Sequence, residues 1–375
     1  MTAATTLDRI PFVNLGRQLE RLRPELVAAF EAVLDSRGFI KGPHVAAFEA
    51  AFAAAIGARR AVGCANGTAA VALALEAAGI GPGDEVLVPS LTFIATGEAV
   101  CHVGATPVFC DIDPETYTLD PGDAARRLTP RTRAMVPVHL YGTPADMDPL
   151  LALAAEHGLL VVEDCAQAHL ATYRGRTVGT IGAAGAFSFF PGKNLGALGD
   201  AGLVATADPA LAERVAKLAD HGRLSKYEHD LIGYNQRLDG LQAALLAVKL
   251  PHLADWTVHR RRVARRYDGR LRPAGIKVIT PPAGAEPVYH LYVIEVEDRA
   301  AVMAELAALG VETGVHYPCP LHRQPAFRHL PAVELPHAER AAARVLSLPI
   351  CGEIGDEEAD QVCDRVLAVV GRAGR

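Results

Sequence analysis

Between residues 61 and 206, short runs of apolar and β-branched residues alternate with Ala- and Leu-rich segments of helical length. Several of these runs are apolar at every position, which is typical of strands covered by helices on both faces. Such alternation predicts an α/β fold with a doubly wound, mostly parallel sheet. The predicted strands are 61–64, 85–89, 106–112, 134–140, 159–163, 185–190 and 201–206.

The pattern changes after residue 206. A polar segment, 221–237, has no clear period and is predicted to be an ordered loop. Pro251 interrupts a long helical stretch and predicts a kink or a break there. We expect a large domain at 11–250 and a small α+β C-terminal domain at 251–375. The other predicted elements are helices at 68–79, 146–158, 208–220, 239–270, 299–309, 337–346 and 356–371, and a strand at 288–297.

Composition excludes several classes of protein. The net charge is −6 and no basic run is present, which disfavours a nucleic-acid partner. No apolar stretch approaches membrane-spanning length, and the N-terminus lacks the pattern of a signal peptide. Seven cysteines without framework spacing predict buried thiols in a reducing compartment. We therefore expect a cytoplasmic protein that binds neither nucleic acid nor membrane.

Ligands of open α/β sheets bind beyond the carboxyl ends of the strands, and four polar positions follow predicted strands. Gly67 and Thr68 open a helix whose N-terminus suits an anion, although an ordinary N-cap explains them better in isolation. Asp164 ends a strand and Gln167 follows one helical turn later. They suit a protonated ring nitrogen and a phenolic oxygen, and an Asp N-cap explains the motif equally well.

The third position is Lys193, which follows Ser188 and a Pro–Gly turn. Apolar, Gly-rich flanks favour a desolvated amine that forms a Schiff base over the usual surface lysine. Phe93, the fourth position, suits stacking on a planar cofactor, although a core phenylalanine explains it better in isolation. Together, a phosphate site, a ring-nitrogen partner, an imine lysine and a ring cover predict pyridoxal 5′-phosphate as cofactor.

An ordered set of motifs resembles the DegT/DnrJ/EryC1/StrS sugar aminotransferase family of fold-type I pyridoxal-phosphate enzymes. The resemblance extends from about residue 11 to 350. Its motifs are NGTAA (66–70), GIGPGDEVLVPSLTFIAT (79–96), GATPVFCDID (104–113), PVHLYG (137–142), EDCAQAH (163–169), FSFFPGKNLGALGDAG (187–202), GYNQRLDGLQAA (233–244) and GVHYP (314–318).

The resemblance implies a role for each candidate residue. Lys193 would form the Schiff base and then act as the acid–base catalyst, while Asp164 pairs with the pyridine nitrogen. Gln167 would lie near the phenolic oxygen and Phe93 would cover the ring. The phosphate would be bound by Gly67, Thr68 and Ser188. Asn235 would reach the phosphate of a neighbouring subunit, which implies a homodimer with shared active sites.

The resemblance further implies transfer of an amino group, with L-glutamate as donor, to a nucleotide-linked keto sugar. Gln236 and Leu238 resemble members that act at C3 rather than C4 of the sugar, and we expect a dTDP-3-keto-6-deoxyhexose as acceptor. His316, Tyr317 and His322 are candidate substrate contacts, and we expect no metal, because His316, Cys319 and His322 form an incomplete ligand set. The family commonly has Gly where this chain has Leu170, and often where it has Ala201.

Alternative functions remain open at this stage. A 4-keto sugar nucleotide or a UDP-3-keto-hexuronate would be other acceptors, and a non-catalytic regulator could keep the same fold. A nicotinamide oxidoreductase is disfavoured because no GxGxxG follows the first strand and GTIGAAG (179–185) has the wrong spacing.

Overall fold

The structure, a computed structural model, describes residues 9–373. Its helices in this range are α1 (Leu15–Ser36), α2 (Pro43–Ile56), α3 (Gly67–Ala77), α4 (Ile94–His102), α5 (Pro121–Arg126), α6 (Met147–His157), α7 (Pro209–Ala219), α8 (Gly240–Lys249), α9 (Leu253–Leu271), α10 (Arg299–Ala308), α11 (Pro336–Arg344) and α12 (Asp356–Ala373). Its strands are β1 (Arg60–Cys64), β2 (Glu85–Pro89), β3 (Thr106–Cys110), β4 (Thr132–Met135), β5 (Leu160–Asp164), β6 (Thr172–Tyr173), β7 (Arg176–Thr177), β8 (Ala184–Ser188), β9 (Gly202–Thr206), β10 (Ala285–Glu286), β11 (Tyr292–Glu295) and β12 (Val345–Leu348).

Seven strands form the central sheet in the order β1-β9-β8-β5-β4-β2-β3. Neighbours from β3 to β8 are parallel, and β9 is antiparallel to both β8 and β1. The predicted mostly parallel α/β sheet is confirmed. The carboxyl ends of β5 and β8 therefore meet at one edge, with Asp164 opposite Ala186 in the register.

Helices cover both faces of this sheet, which explains the fully apolar strands. In β2, Val86 and Val88 pack in one core cluster with α3 and α4, whereas Leu87 packs in a second cluster with α2 and α6. Side chains alternate between faces along a strand, so a strand buried on both sides must be apolar throughout.

A third core cluster lies in the C-terminal part, where β11 and β12 form an antiparallel pair beside α9, α10 and α12. Helix α9 spans two clusters, because Trp256 packs with the large sheet and Val263 with the third cluster. Ile10 also packs in the third cluster. The division at 250/251 stays a prediction, and the break that Pro251 predicted is confirmed as a 3₁₀ turn between α8 and α9.

Two expectations need correction. Cys101, Cys319 and Cys351 are only partly buried, although all seven cysteines of the described range are free thiols. Residues 345–346, predicted to be helical, lie in β12, because their β-branched and apolar side chains pair with β11 in a core strand. The pattern also gave no prediction for α1 and α2. In residues 9–373 no helix combines the length and apolarity needed to cross a membrane.

Candidate active site

Lys193 and Asp164 lie at the carboxyl edge of the sheet: Asp164 is the last residue of β5, and Lys193 follows β8. The backbone N–H of Lys193 donates to the carbonyl of Phe190 at 2.8 Å, which closes the tight turn after β8. Burial lowers the pKa of Lys193 to about 8, while the charge of Asp164 acts in the opposite direction. At neutral pH about a tenth of the amine is therefore neutral and nucleophilic.

The Asp164 carboxylate is buried and held from two sides. Its Oδ2 accepts a hydrogen bond from Thr96 Oγ1 at 2.9 Å, and its Oδ1 accepts one from the backbone N–H of Ala166 at 3.1 Å. No ion pair to Asp164 forms among the described residues. The carboxylate thus keeps acceptor capacity for a cationic ring nitrogen.

Gly67, Thr68 and Ser188 come together at the start of α3. A Cβ on residue 67 would lie 2.6 Å from Ser188 Cβ, so only glycine fits there. Asn66 caps the helix by accepting from the N–H of Ala69 at 2.8 Å. The N–H groups of Gly67 and Thr68 have no acceptor in the described chain, which leaves them for an anion.

Gln167 is held beside Tyr317. Its Oε1 accepts from the Tyr141 N–H at 2.6 Å, and its Nε2 donates to the Tyr317 hydroxyl at 3.1 Å. The expected helical turn between Asp164 and Gln167 is absent: residues 165–171 form turns, and Tyr141 orients the amide instead. Phe93 is 53% exposed and its ring centroid lies 5.7 Å from that of Tyr317. An exposed phenylalanine here is not a core residue.

His316 and Tyr317 lie close to the lysine and the aspartate. Burial and the charge of Lys193 lower the pKa of His316 to about 4, and its ring stacks on Phe12 at 5.5 Å. Burial raises the pKa of the Tyr317 phenol, and the charge of Asp164 raises it further.

His322 is held differently. Its Nδ1 lies 2.6 Å from Ser90 Oγ and its Nε2 lies 2.9 Å from a Glu339 carboxylate oxygen. Both ring nitrogens are thus engaged within the protein, so a polar contact from His322 to substrate requires one of these bonds to break. Its role as a substrate contact stays a prediction.

Asn235 lies apart from these residues, on the exposed segment 221–237. Its backbone pairs with Asp220, and the buried Asp220 carboxylate forms ion pairs with Lys41 at 2.7 Å and Arg237 at 2.8 Å. These contacts order the loop but do not bring Asn235 to Lys193 within one chain.

Sequence reasoning missed Thr96 and two histidines near the lysine. His169 is fully buried against Phe187 and Phe189, and both ring nitrogens lack a hydrogen-bond partner among the described residues. Burial and the charge of Lys193 lower its pKa to about 3. His290 Nδ1 lies 3.1 Å from Asn194 Oδ1. Two of the three lie at the ends of motifs noted in the sequence, Thr96 in GIGPGDEVLVPSLTFIAT and His169 in EDCAQAH, whereas His290 lies in none.

A cluster of His139, Glu163 and Cys165 is the one grouping of metal-ligand type within residues 9–373. The Glu163 carboxylate already accepts from His139 and from the N–H groups of Gly179, Ile181 and Gly182. His139 Nδ1 accepts from the Ala145 N–H. These atoms are used in hydrogen bonds that fix the strand end, so the cluster is structural.

The arrangement fits pyridoxal phosphate. It offers a buried amine of lowered pKa, a carboxylate for the ring nitrogen and two unpaired N–H groups for the phosphate. When bound, the cofactor supplies an electron sink for bonds broken at the attached amine.

Comparison with known proteins identifies this arrangement. Residues 20–367 match the DegT/DnrJ/EryC1/StrS aminotransferase family. The dTDP-3-amino-3,4,6-trideoxy-alpha-D-glucose transaminase of Streptomyces venezuelae is 47% identical over 98% of this chain and 97% of its own. The UDP-N-acetyl-3-dehydro-alpha-D-glucosamine 3-aminotransferase of Acidithiobacillus ferrooxidans is 46% identical over 94% and 96%.

A crystal structure of S. venezuelae DesV in complex with a ketimine intermediate is also similar. It has a TM-score of 0.94 and 46% identity, over 98% of this chain and 99% of that one. The predicted fold class, transaminase activity and pyridoxal-phosphate cofactor are thereby confirmed. The chain belongs to the DegT/DnrJ/EryC1/StrS aminotransferase family.

Proposed function

We propose that this enzyme transfers the amino group of L-glutamate to C3 of a dTDP-3-keto-6-deoxyhexose. The observation that carries the transaminase chemistry is the buried Lys193 amine, whose pKa is lowered to about 8 opposite Asp164. Amination at C3 is supported by two relatives whose nucleotides differ but whose names both give carbon 3. Gln236 and Leu238 support the same carbon.

Each residue of the site has a distinct task in this proposal. The Lys193 amine would hold the cofactor and, once released, would move a proton between the nitrogen-bearing carbon of the substrate and the cofactor carbon attached to the same nitrogen. Asp164, fixed by Thr96, keeps the ring nitrogen protonated. The N-terminus of α3 holds the phosphate, and Phe93 with Tyr317 shields the open face of the site from water.

The proposal includes a homodimer with shared active sites, located in the cytoplasm. Ile232 is 95% exposed and Tyr227 82% exposed, within an ordered loop that also carries Asn235. Apolar side chains exposed together in this way are typical of an interface. A second copy covering this loop would bring Asn235 to the neighbouring phosphate. The free cysteine thiols support a reducing compartment.

The first test concerns Lys193. The purified enzyme should absorb at the wavelength of a protonated imine, and borohydride should bleach this band and fix the cofactor to residue 193. In Lys193→Ala the cofactor should be bound without a covalent bond, and turnover should fall at least about 10⁴-fold. Cofactor still covalently attached to that variant would refute the assignment.

The second test concerns the acceptor. The enzyme is incubated with L-glutamate and a panel of dTDP- and UDP-linked 3-keto and 4-keto sugars, and the aminated product is identified by NMR. We expect the highest kcat/KM with a dTDP-linked 3-keto-6-deoxyhexose. A preference for a 4-keto sugar would refute the carbon assignment, and absence of turnover with every pair would favour a regulator.

A further inference from the structure

Arg260 is a buried cation without a counter-anion. It is 7% exposed, lies on α9, and forms no ion pair with any carboxylate in the described range. Burial lowers its pKa to about 10, so the guanidinium is charged at neutral pH. A buried, unpaired charge is strongly unfavourable, and proteins usually neutralise it with a partner or a ligand.

The hydrogen bonds of Arg260 leave one edge of the guanidinium free. Its Nη1 donates to the carbonyl oxygens of Tyr289 at 3.0 Å, His290 at 3.3 Å and Ile350 at 3.2 Å. Its Nε is buried without a partner, and Nη2 makes no hydrogen bond within residues 9–373. The Nε and Nη2 pair forms the planar fork that binds a carboxylate through two parallel hydrogen bonds.

Arg260 and Lys193 line the same cleft. Asn194, next to the lysine, contacts the His290 ring at 3.1 Å, and the His290 carbonyl accepts from Arg260. Arg260 and the segment that carries Lys193 are therefore connected through His290.

We propose that Arg260 binds the α-carboxylate of the amino donor. This inference rests on the proposed function, in which an amino acid delivers its nitrogen to the place that the Lys193 amine occupies. The α-carboxylate is attached to the carbon that bears this nitrogen, so it enters the cleft together with the amine. A free guanidinium fork in that cleft selects α-amino acids over simple amines.

A sugar-nucleotide diphosphate is the other anion that a guanidinium could bind. The cleft favours a single carboxylate, because Arg260 is the one cation besides Lys193 among the residues that line it, whereas a diphosphate carries at least two negative charges. Glu353 also lines the cleft but is paired with Arg21 at 3.0 Å, so it does not neutralise Arg260.

The first experiment uses the unaltered holoenzyme. The donor half-reaction is followed by loss of the imine absorbance with L-glutamate and with its α-amide, L-isoglutamine. We expect kcat/KM to fall about 100-fold or more for the α-amide, the size expected when one charged partner is lost from a buried pair. Equal rates with both donors would overturn the inference.

The second experiment substitutes Arg260. Arg260→Gln should raise KM for L-glutamate about 100-fold, and Arg260→Lys should restore part of the affinity because it keeps the charge but not the fork. KM for the keto-sugar nucleotide should stay unchanged. Arg261→Gln is the matched control, since Arg261 also donates to backbone carbonyls, of Glu286 and Pro287, but does not line the cleft.

A change in KM for the sugar nucleotide alone would assign Arg260 to the diphosphate and overturn the inference. If the Arg260 variants do not fold, the comparison of L-glutamate with its α-amide still decides.

Binding can also be measured without turnover. Trp256 is the single tryptophan of the chain and lines the same cleft. Titration of the holoenzyme with glutarate should change its fluorescence in a saturable way, and Arg260→Gln should lose this response. A response of equal strength in the variant would overturn the inference.

The two proposals fail in different ways. If no amino acid converts the cofactor absorbance, the proposed transaminase function fails. If conversion occurs but does not depend on the α-carboxylate, only the role of Arg260 fails.

Discussion

The edge of the sheet around Lys193 and the loop at 221–237 present functional groups in opposite ways. At the sheet edge, burial lowers the pKa of Lys193 and two hydrogen bonds fix Asp164. In the loop, Asn235 and Ile232 are exposed, although the backbone is anchored through Asp220. In the first region, contacts within one chain set the chemical properties of the functional groups. The second region gains a function only if another chain covers it.

The largest change in rate that tests this comparison is expected at Asp164. Asp164→Asn should slow the donor half-reaction about 100- to 1000-fold, as expected when a preorganised electrostatic partner is removed. Stopped-flow absorbance measures this rate. Thr96→Val is the control, because it removes one hydrogen bond to the carboxylate but keeps the charge. In Thr96→Val the rate of the donor half-reaction should fall about tenfold or less. Equal losses in both variants would show that charge is not the reason.

The loop gives the next effect. Ile232→Asp should shift the enzyme from dimer towards monomer and weaken cofactor retention at low protein concentration, because a desolvated carboxylate in an interface is strongly unfavourable. Analytical ultracentrifugation measures the oligomeric state, and cofactor absorbance measures cofactor retention. Val258→Asp is the control, since Val258 is 63% exposed but lies on α9, away from the loop. A fully active monomer would remove the shared site from the proposal.

The pH dependence of cofactor loading sharpens the comparison further. The pKa of Lys193 is lowered to about 8, so its reactive neutral form increases as pH rises. Mixing cofactor-free enzyme with pyridoxal phosphate should give an imine-formation rate that rises about tenfold per pH unit below 8 and levels off above it. A rate still rising steeply at pH 9.5 would indicate an ordinary, solvated lysine.

The smallest effect concerns Leu170, where the family commonly has glycine. Its φ is 66°, a left-handed conformation that costs a side-chain-bearing residue about 1–2 kcal/mol. Leu170→Gly should therefore be more stable than Leu170→Ala by about 1 kcal/mol in chemical unfolding. Leu153 is the matched control, because it packs on the same core cluster but lies in α6. Leu153→Ala should be more stable than Leu153→Gly, because glycine destabilises a helix interior.

Much of the fold was predictable because it depends on local pattern. β2 occupies 85–89 as predicted, and α3 and α6 lie within a residue or two of their predicted ends. The polar segment 221–237 is an ordered loop without a helix or strand, as expected. By contrast, the first two residues of β12 were assigned to the end of a helix, because an apolar run of a few residues does not distinguish a short buried strand from a helical turn.

The sequence by itself determined which chemical groups follow the strands: an aspartate at 164, a lysine at 193, and a Gly–Thr pair at 67–68. Strands that run in the same direction end at the same edge of a sheet. The local motifs were therefore sufficient to predict that these groups lie at one edge. Only the tertiary structure decided that Thr96 holds Asp164, that His322 is engaged with Ser90, and that Arg260 lies unpaired in the lysine's cleft. These contacts join residues far apart in the chain, and burial, which sets their pKa values, is a property of the packed fold.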